Sequence, residues 1–221
     1  MKETLQEYKD TLRQNLISYT IKAFRSLPTF DEPRILDIGC GSGVPTMELA
    51  RLSNGRITGL DVDQSQLDRL VRKVEKAGLS DRVDTIGCSM LQMDFPEDTF
   101  DIIWAEGSIR AIGFERALID WQRFLGRGGF LVIHDDMGNL TVKLNQVSHC
   151  GYDLLDYFVL GEHIWWDEYY APLEKSQGEL RQEFADDPEC LTELDNDQRS
   201  IDTFKQNRES YRSVFLIMKK R

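Results

Sequence analysis

The segment Arg34–Ala50, RILDIGCGSGVPTMELA, constrains the fold more than any other part of this chain. It begins with an apolar run typical of a buried strand, passes through three closely spaced glycines, and continues with the apolar spacing of a helix. Glycines at a strand-to-helix turn let the backbone approach a ligand and take up dihedral angles that a side chain disfavours. The segment therefore predicts a ligand-binding loop after the first strand of an α/β sheet. The alternative is a turn without a ligand, in which the nearby aspartate only caps the helix.

The rest of the chain alternates between strand and helix patterns. Strands are predicted at 35–38, 57–60, 83–86, 100–104 and 130–133, and helices at 45–52, 64–77 and 117–125. This alternation predicts parallel strands joined by helical crossovers, in a doubly wound Rossmann-like sheet. Two further strands, at 152–160 and 214–218, lie on either side of an acidic helical segment.

The 221 residues are expected to form one domain, because a chain of this length buries a sizeable core. We divide the chain into a helical N-terminal extension (1–30), a binding core (31–160), a cap insertion with helices (161–210) and a last strand (211–221).

The charge of the chain restricts its partners and its location. A formal net charge of −11 disfavours a nucleic acid partner, because it repels a phosphate backbone. The four cysteines form no Cys-x-x-Cys pair, which is typical of reduced thiols. The first ten residues include the charged side chains Lys2, Glu3, Glu7, Lys9 and Asp10, so no signal-peptide core is predicted, and no apolar run reaches the length of a membrane span. We expect a soluble, cytoplasmic protein without a membrane partner.

The position of Asp37 discriminates between cofactors. A dinucleotide fold uses Gly-x-Gly-x-x-Gly and binds a pyrophosphate there, whereas the third glycine here arrives one residue early, as Gly39, Gly41 and Gly43. Asp37 would repel a pyrophosphate. S-adenosylmethionine carries a sulfonium and an ammonium and no phosphate, so the carboxylate favours that cofactor over NAD on charge.

Two later segments continue the predicted cofactor site. Asp61 and Val62 end the second strand, where a carboxylate accepts both hydroxyls of a ribose. Asp63 competes for that role, although capping the next helix is its simpler use. Ser89 and Met90 follow the third strand, beside the expected adenine, where the serine hydroxyl would meet the exocyclic amine. For Met90 the alternative is core packing.

The chain resembles class I S-adenosylmethionine-dependent methyltransferases. Its segments ILDIGCGSG, GLDVD, DFPEDTFDIIWAEG and LGRGGFLVIHD look like the successive signature segments of that family, in order, and the match is closest to its small-molecule branch. The resemblance covers roughly residues 30–160 and implies a seven-stranded sheet. It also implies that the methionine portion is bound by Asp37, Gly39, Cys40, Gly41 and Gly43, the ribose by Asp61 and the adenine by Ser89 and Met90. Many relatives carry aspartate at the Ser89 position.

Methyl transfer is an in-line displacement whose leaving group is a neutral thioether, so it depends mainly on alignment in a dry pocket. A base is needed only where the acceptor must lose a proton. Candidates at the ends of the fourth and fifth strands are Glu106, His134 and Asp135. Glu106 also lies near the predicted cofactor. The alternatives are a turn hydrogen bond for Glu106, a strand-end partner for His134, and helix capping for Asp135 and its neighbour Asp136.

Metal binding by these residues together with His149 or His163 is not predicted, because no two of them show a recognised ligand spacing. Arg110 is either a partner for an acceptor carboxylate or phosphate, or a surface residue.

The segment 161–173, GEHIWWDEYYAPL, is an aromatic insertion before the last strand. Aromatic faces beside carboxylates suit an amine or its methylated cation, so Trp166, Tyr169 and Tyr170 are predicted to close over the acceptor. They cannot all face inward, and packing of the cap onto the sheet is the alternative.

These observations favour a methyltransferase that acts on a small molecule, with S-adenosylhomocysteine as product, as a monomer or homodimer. A protein that binds the cofactor without catalysis is the main alternative. An NAD-dependent oxidoreductase is disfavoured by Asp37, and an aminopropyl transferase by the absence of a Gly-Gly-Gly start.

Overall fold

A single sheet of seven strands lies at the centre of this computed structural model, which describes residues 4–221. Lys2 and Glu3, which belong to the predicted charged N-terminus, lie outside the described residues. The strands are β1 (Arg34–Ile38), β2 (Arg56–Asp61), β3 (Val83–Gly87), β4 (Phe100–Glu106), β5 (Leu125–Asp136), β6 (Tyr152–Leu160) and β7 (Ser213–Lys220).

The helices are α1 (Leu5–Gln14), α2 (Ile17–Arg25), α3 (Val44–Leu52), α4 (Gln64–Lys76), α5 (Phe114–Trp121), α6 (Leu140–His149), α7 (Glu162–Trp165), α8 (Ala171–Glu183) and α9 (Pro188–Gln206). A π-helical turn, Trp166–Tyr170, joins α7 to α8.

The strand order is β3-β2-β1-β4-β5-β7-β6, and every neighbouring pair is parallel except those that involve β7. The predicted doubly wound, seven-stranded sheet is therefore confirmed. The strand order reverses between β1 and β4, and a sheet of this kind opens a crevice for ligands at the carboxyl ends of the strands flanking that point.

Two apolar clusters cover the two faces of the sheet. One combines buried strand residues with α5 and α6, through Trp121 and Val147 among others, and the other combines them with α2, α3 and α4, through Ala23, Leu49 and Leu70. The helices that flank the sheet each bury one apolar stripe, and the central strands are buried on both faces.

Strand ends differ from the predicted ones at the edge that matters for function. β4 continues to Glu106 and β5 to Asp136, so the three candidate catalytic side chains lie within strands rather than after them. Leu125 begins β5 and does not end a helix, because α5 stops at Trp121 and a short 3₁₀ turn follows. The alternative role of Asp135 and Asp136, capping of the next helix, is excluded because Asn139 caps α6 by accepting from the Val142 amide at 3.2 Å.

The N-terminal helices lie against the C-terminal cap. The Tyr8 hydroxyl donates to Ser176 Oγ at 2.5 Å, and Lys9 Nζ forms ion pairs with Glu193 and Asp197 at 2.8 and 2.7 Å. These contacts join α1 to α8 and α9 on the same side as the carboxyl edge of the sheet. None of the helices within residues 4–221 has the length and apolar character that a bilayer crossing requires.

Candidate functional site

The glycine loop turns back onto β2. The amides of Gly39 and Cys40 donate to the Leu60 carbonyl at 2.7 and 3.1 Å, and Gly39, Gly41 and Gly43 all have positive φ angles of 72°, 53° and 82°. Such angles favour glycine over any residue with a Cβ atom. The loop conformation thus explains why three glycines occur there.

The three glycines face different surroundings. A Cβ atom on Gly39 would lie 2.3 Å from Ser108 Cβ, and one on Gly43 would lie 2.3 Å from Leu70 Cδ1. A Cβ on Gly41 would meet no protein atom within 4 Å. Packing therefore requires glycine at the first and third positions, whereas the middle glycine borders open space.

That open space belongs to a cavity of about 580 Å³ at the carboxyl edge of the sheet, a size typical of small-molecule sites. The predicted site residues that line it are Asp37, Gly39, Cys40, Gly41, Asp61, Val62, Met90, Glu106, His134, Tyr169 and Tyr170. The predicted site residues that do not are Gly43, Ser89, Arg110, Asp135 and Trp166.

Asp37 lies in the wall of the cavity and is 1% exposed. Its Oδ2 atom accepts a 2.6 Å hydrogen bond from the Thr46 hydroxyl. Burial, helped by the nearby carboxylate of Asp61, raises the pKa of Asp37 to about 7, even though the Thr46 hydrogen bond acts to lower it. An electronegative wall of this kind stabilises a cation in the cavity.

Asp61 holds the glycine loop and the start of α4 at once. Its Oδ2 accepts from the Gly41 amide at 2.8 Å and its Oδ1 from the Asp63 amide at 3.0 Å. A carboxylate has acceptor capacity beyond one bond on each oxygen, so both oxygens remain able to bind a ligand. Asp63 caps α4 by accepting from the Ser65 and Gln66 amides, which agrees with its simpler predicted use.

Glu106 is held by two hydrogen bonds to a single oxygen. Trp104 Nε1 donates to Oε1 at 2.7 Å and the Thr20 hydroxyl donates to the same atom at 2.9 Å. Among residues 4–221, Oε2 has no hydrogen-bond partner, and the atom is accessible rather than fully buried. Burial raises the pKa of Glu106 to about 7, with Asp37 contributing, despite the two hydrogen bonds. The carboxyl group therefore titrates near neutral pH and keeps one oxygen free towards the cavity.

His134 lies between two aromatic rings. Its imidazole stacks on Phe215 with a centroid distance of 4.1 Å and on Trp165 with one of 5.8 Å, and the three rings are nearly parallel. Burial lowers the pKa of His134 to about 3, so the ring is neutral at physiological pH. A base this weak retains little driving force for removing a proton, which makes Glu106 the stronger candidate.

Of the three predicted cap residues, Tyr169 and Tyr170 line the cavity and Trp166 does not. Trp166 stacks on Phe204 at 5.5 Å and packs into an apolar cluster beneath the cap, whereas Trp165 lines the cavity. Tyr169 and Tyr170 both line the cavity, and their rings contact each other edge to face at 5.2 Å.

Three other predicted residues have partners outside the cavity or lie at the surface. Asp135 forms an ion pair with Lys143 of α6. The Ser89 hydroxyl accepts from the Leu91 amide at 3.2 Å, while its neighbours Cys88 and Met90 line the cavity. Arg110 is exposed in a short 3₁₀ turn. Within residues 4–221 no group of three or more His, Cys, Asp or Glu side chains is arranged to hold a metal ion.

The structure adds cavity residues that the sequence interpretation did not include. They come from the N-terminal helices and the turn between them, and are Arg13, Leu16, Ile17, Tyr19 and Thr20. The signal for Thr20 was a hydroxyl on the buried face of α2, three residues before Ala23, where a polar side chain requires a partner. That partner, Glu106, is 86 residues further along the chain.

Comparison with known proteins adds a family match. Residues 35–129 match a family model described as a methyltransferase domain. The chain is 31% identical over 103 residues to sterol 24-C-methyltransferase ERG6B of Gibberella zeae, covering 46% of this chain and 27% of that protein. It is 27% identical over 183 residues to 27-O-demethylrifamycin SV methyltransferase of Amycolatopsis mediterranei, covering 80% of this chain and 64% of that protein.

Among solved structures, the crystal structure of the [4+2]-cyclase SpnF superposes with a TM-score of 0.77 at 21% identity, covering 92% of this chain and 80% of that chain. This likeness concerns the fold. The chain spans less than two thirds of the length of the two curated relatives named above.

Proposed function

We propose that this protein transfers the methyl group of S-adenosylmethionine to a small molecule, as a class I S-adenosylmethionine-dependent methyltransferase. The match of residues 35–129 to a methyltransferase domain supports this function. The observation that carries the proposal is the pairing of two carboxylates, Asp37 and Asp61, with the open backbone at Gly41 in one cavity. A cation without phosphate suits these groups, and the free space over Gly41 suits a ligand that lies on the backbone.

The residues of the cavity divide between the parts of this cofactor. Asp61 would accept hydrogen bonds from the ribose hydroxyls. The adenine would lie beside Val62, Cys88 and Met90. The Asp37 side, together with Gly39 and Gly41, would face the charged methionine portion. When bound, S-adenosylmethionine would supply an electrophilic methyl group on a sulfonium and leave as the neutral thioether S-adenosylhomocysteine.

Glu106 is the side chain best suited to activate the acceptor. Its free Oε2 atom and its pKa of about 7 allow it to take a proton from a hydroxyl or an ammonium group near neutral pH. Trp165, Tyr169, Tyr170 and Phe215 surround the same cavity, so the acceptor is enclosed by apolar and aromatic surface. Such a wall excludes water and holds two reactants in line, which supplies much of the acceleration of a displacement.

We further propose that the protein works in the cytoplasm, as a monomer or homodimer, without a nucleic acid, a membrane or a metal. The net charge of −11 supports the first exclusion. The neutral leaving thioether removes the need for an acid or a metal at the sulfur.

The test is transfer of isotope-labelled methyl from S-adenosylmethionine into a low-molecular-weight metabolite extract by the purified full chain. We expect label in a small molecule together with an equal amount of S-adenosylhomocysteine. Glu106→Gln should bind S-adenosylhomocysteine normally and transfer little label. Binding of the cofactor without any transfer would contradict the proposal and favour a non-catalytic binding protein.

A further inference from the structure

Ser213 connects two of the rings that border the cavity. It is the first residue of β7, and its hydroxyl oxygen lies 3.0 Å from Trp165 Nε1 and 2.9 Å from His134 Nε2. The serine is 5% exposed, so water does not readily satisfy its hydrogen. Each of the two contacts is therefore a hydrogen bond, and the donor and the acceptor have to be identified for each one.

The chemistry of the indole determines that assignment. Trp165 Nε1 only donates, so the Ser213 oxygen accepts from it. If His134 Nε2 carried a hydrogen, it too would donate to Ser213, and the serine hydrogen would have no acceptor among residues 4–221. If Nε2 carries a lone pair, Ser213 donates to it, and both the indole hydrogen and the serine hydrogen have an acceptor. The second arrangement places the histidine proton on Nδ1.

The other side of the imidazole is open. Among residues 4–221, Nδ1 has no hydrogen-bond partner, and the atom is accessible rather than fully buried. His134 lines the cavity, so Nδ1 is accessible from there. The stacked rings of Phe215 and Trp165 restrict rotation of the imidazole about its side-chain bonds.

Glu106 lies beside this donor. The strand register pairs Glu106 of β4 directly with His134 of β5, so both side chains leave the same face of the sheet on neighbouring strands, about 4.8 Å apart at the backbone. Glu106 offers a free carboxylate oxygen, and His134 offers an N–H group. A molecule at this edge meets a hydrogen-bond acceptor and a hydrogen-bond donor side by side.

We infer that Ser213 holds His134 as the Nδ1–H tautomer, and that His134 binds the methyl acceptor by donating a hydrogen bond to a lone pair next to the group that Glu106 contacts. The inference rests on the proposed function and adds the class of substrate. The acceptor carries a hydroxyl or amine N–H with a carbonyl, ether or similar oxygen adjacent to it. Ser213 acts as a positioning residue, because it contacts the histidine and not the substrate.

The tautomer is measurable without any acceptor. In protein labelled with ¹⁵N-histidine and saturated with S-adenosylhomocysteine, long-range proton–nitrogen correlation spectra identify which ring nitrogen carries the hydrogen. The chain has three histidines, and the His134 signals are those lost in His134→Asn. We expect Nδ1–H between pH 6 and 8. A proton on Nε2, or a charged ring in this range, would overturn the inference whether or not methyl transfer is observed.

Ser213→Ala tests the positioning role by the same spectrum. We expect the single Nδ1–H tautomer to give way to a mixture in this variant. Ser210→Ala is the matched control, because that hydroxyl donates to the Asn207 carbonyl at 2.7 Å and not to His134, and it should leave the His134 signals unchanged. An unaltered Nδ1–H tautomer in folded Ser213→Ala would show that the serine does not hold the ring.

A pair of substitutions at His134 tests the donor itself in the labelled-methyl assay with the metabolite extract. In His134→Asn the side-chain amide N–H replaces the Nδ1–H donor, whereas His134→Leu removes it. Loss of one hydrogen bond predicts about ten-fold lower turnover for the Leu variant than for the Asn variant. Equal turnover in the two variants would contradict the donor role, while absence of transfer in the unmodified protein would contradict the proposed function.

Discussion

The hydroxyl of Ser42, in the glycine loop, donates a 2.5 Å hydrogen bond to Asp10 Oδ1, in helix α1. Lys73 of α4 completes the contact by donating to Asp10 Oδ2 and to the Ser42 carbonyl, both at 2.8 Å. Asp10 and Ser42 are buried, at 8% and 1% exposed, whereas Lys73 is partly exposed. The N-terminal helix is therefore bonded directly to the loop that would carry the cofactor.

This contact predicts that Asp10→Ala weakens binding of S-adenosylhomocysteine. Removing the carboxylate leaves the Ser42 hydroxyl without its acceptor and Lys73 with the Ser42 carbonyl alone. The loss of a charged hydrogen-bond partner corresponds to about 1–3 kcal/mol. Glu7→Ala is the control, because Glu7 caps α1 through Thr4 and does not contact the loop. Calorimetry should show weaker binding for the first variant only. An equal loss in both variants would mean that affinity follows the stability of α1 in general.

Glu106→Gln should lower turnover by about 10²–10⁴ while changing the affinity for S-adenosylhomocysteine by only a few-fold. The pH profile gives the sharper test. The pKa of Glu106 is about 7, and a base acts only when deprotonated, so the rate should fall as the pH drops below about 7. The Gln variant should lack this fall in rate at low pH, the acid limb of the profile. Near-full turnover with an unchanged profile would show that Glu106 has only a structural role.

Thr20→Val should shift the same acid limb to higher pH. The Thr20 hydroxyl donates to Glu106 at 2.9 Å and stabilises the charged carboxylate, so its removal raises the pKa of Glu106. Valine keeps the shape of the side chain, which limits changes in packing. A limb that stays in place or moves to lower pH would argue that Glu106 is not the group observed in the rate profile.

Asp61→Ala should weaken cofactor binding by about 1–3 kcal/mol, as expected for a charged hydrogen-bond acceptor. Asp63→Ala is the matched control, because Asp63 caps α4 and its loss should reduce the free energy of unfolding by about 1 kcal/mol without a comparable change in affinity. Calorimetry and urea unfolding separate the two effects. Unchanged affinity in Asp61→Ala would move the ribose role to Asp63.

The buried carboxyl of Asp37 predicts how stability depends on pH. Its pKa is about 7 in the folded state and near 4 when unfolded, so the folded state binds more protons between these values. The resulting stability is complete below pH 4 and is lost as the pH rises through 7. Between about pH 5 and about pH 7 this contribution should therefore lower the free energy of unfolding of the unmodified protein relative to that of Asp37→Asn. Urea unfolding at both pH values measures it, and an identical decrease in the two proteins would contradict the burial argument.

Local patterns were sufficient for the sheet and the glycine loop. The strand at Ile35–Ile38 and the loop after it depend on apolar spacing and on glycine angles, both of which a short segment determines by itself. The capping of α4 by Asp63 is local in the same sense. The predicted strand ends at Trp104 and Ile133 were too early because pairing between β4 and β5 continues to Glu106 and His134.

Contacts between distant parts of the chain were not predictable from these patterns. The choice between Trp165 and Trp166 depends on one step of helix rotation and on the π-helical turn that begins at Trp166, neither of which the letters WW encode. Thr20 meets Glu106, and Tyr8 meets Ser176, only after α1 and α2 have packed across the sheet edge. The part of the cavity around Glu106 is built mainly from such contacts, so local sequence patterns contain little information about it.

Calorimetric titration of the full chain with S-adenosylhomocysteine and with NADH is the most direct test of the assigned cofactor site. We expect one molecule of S-adenosylhomocysteine to bind per chain, no response to NADH, and loss of binding in Gly41→Val with the native circular dichroism spectrum retained. Valine at this position would occupy the open space beside Asp61 and strain a φ of 53°. Binding of NADH without a response to S-adenosylhomocysteine, or undiminished binding in folded Gly41→Val, would contradict the assignment.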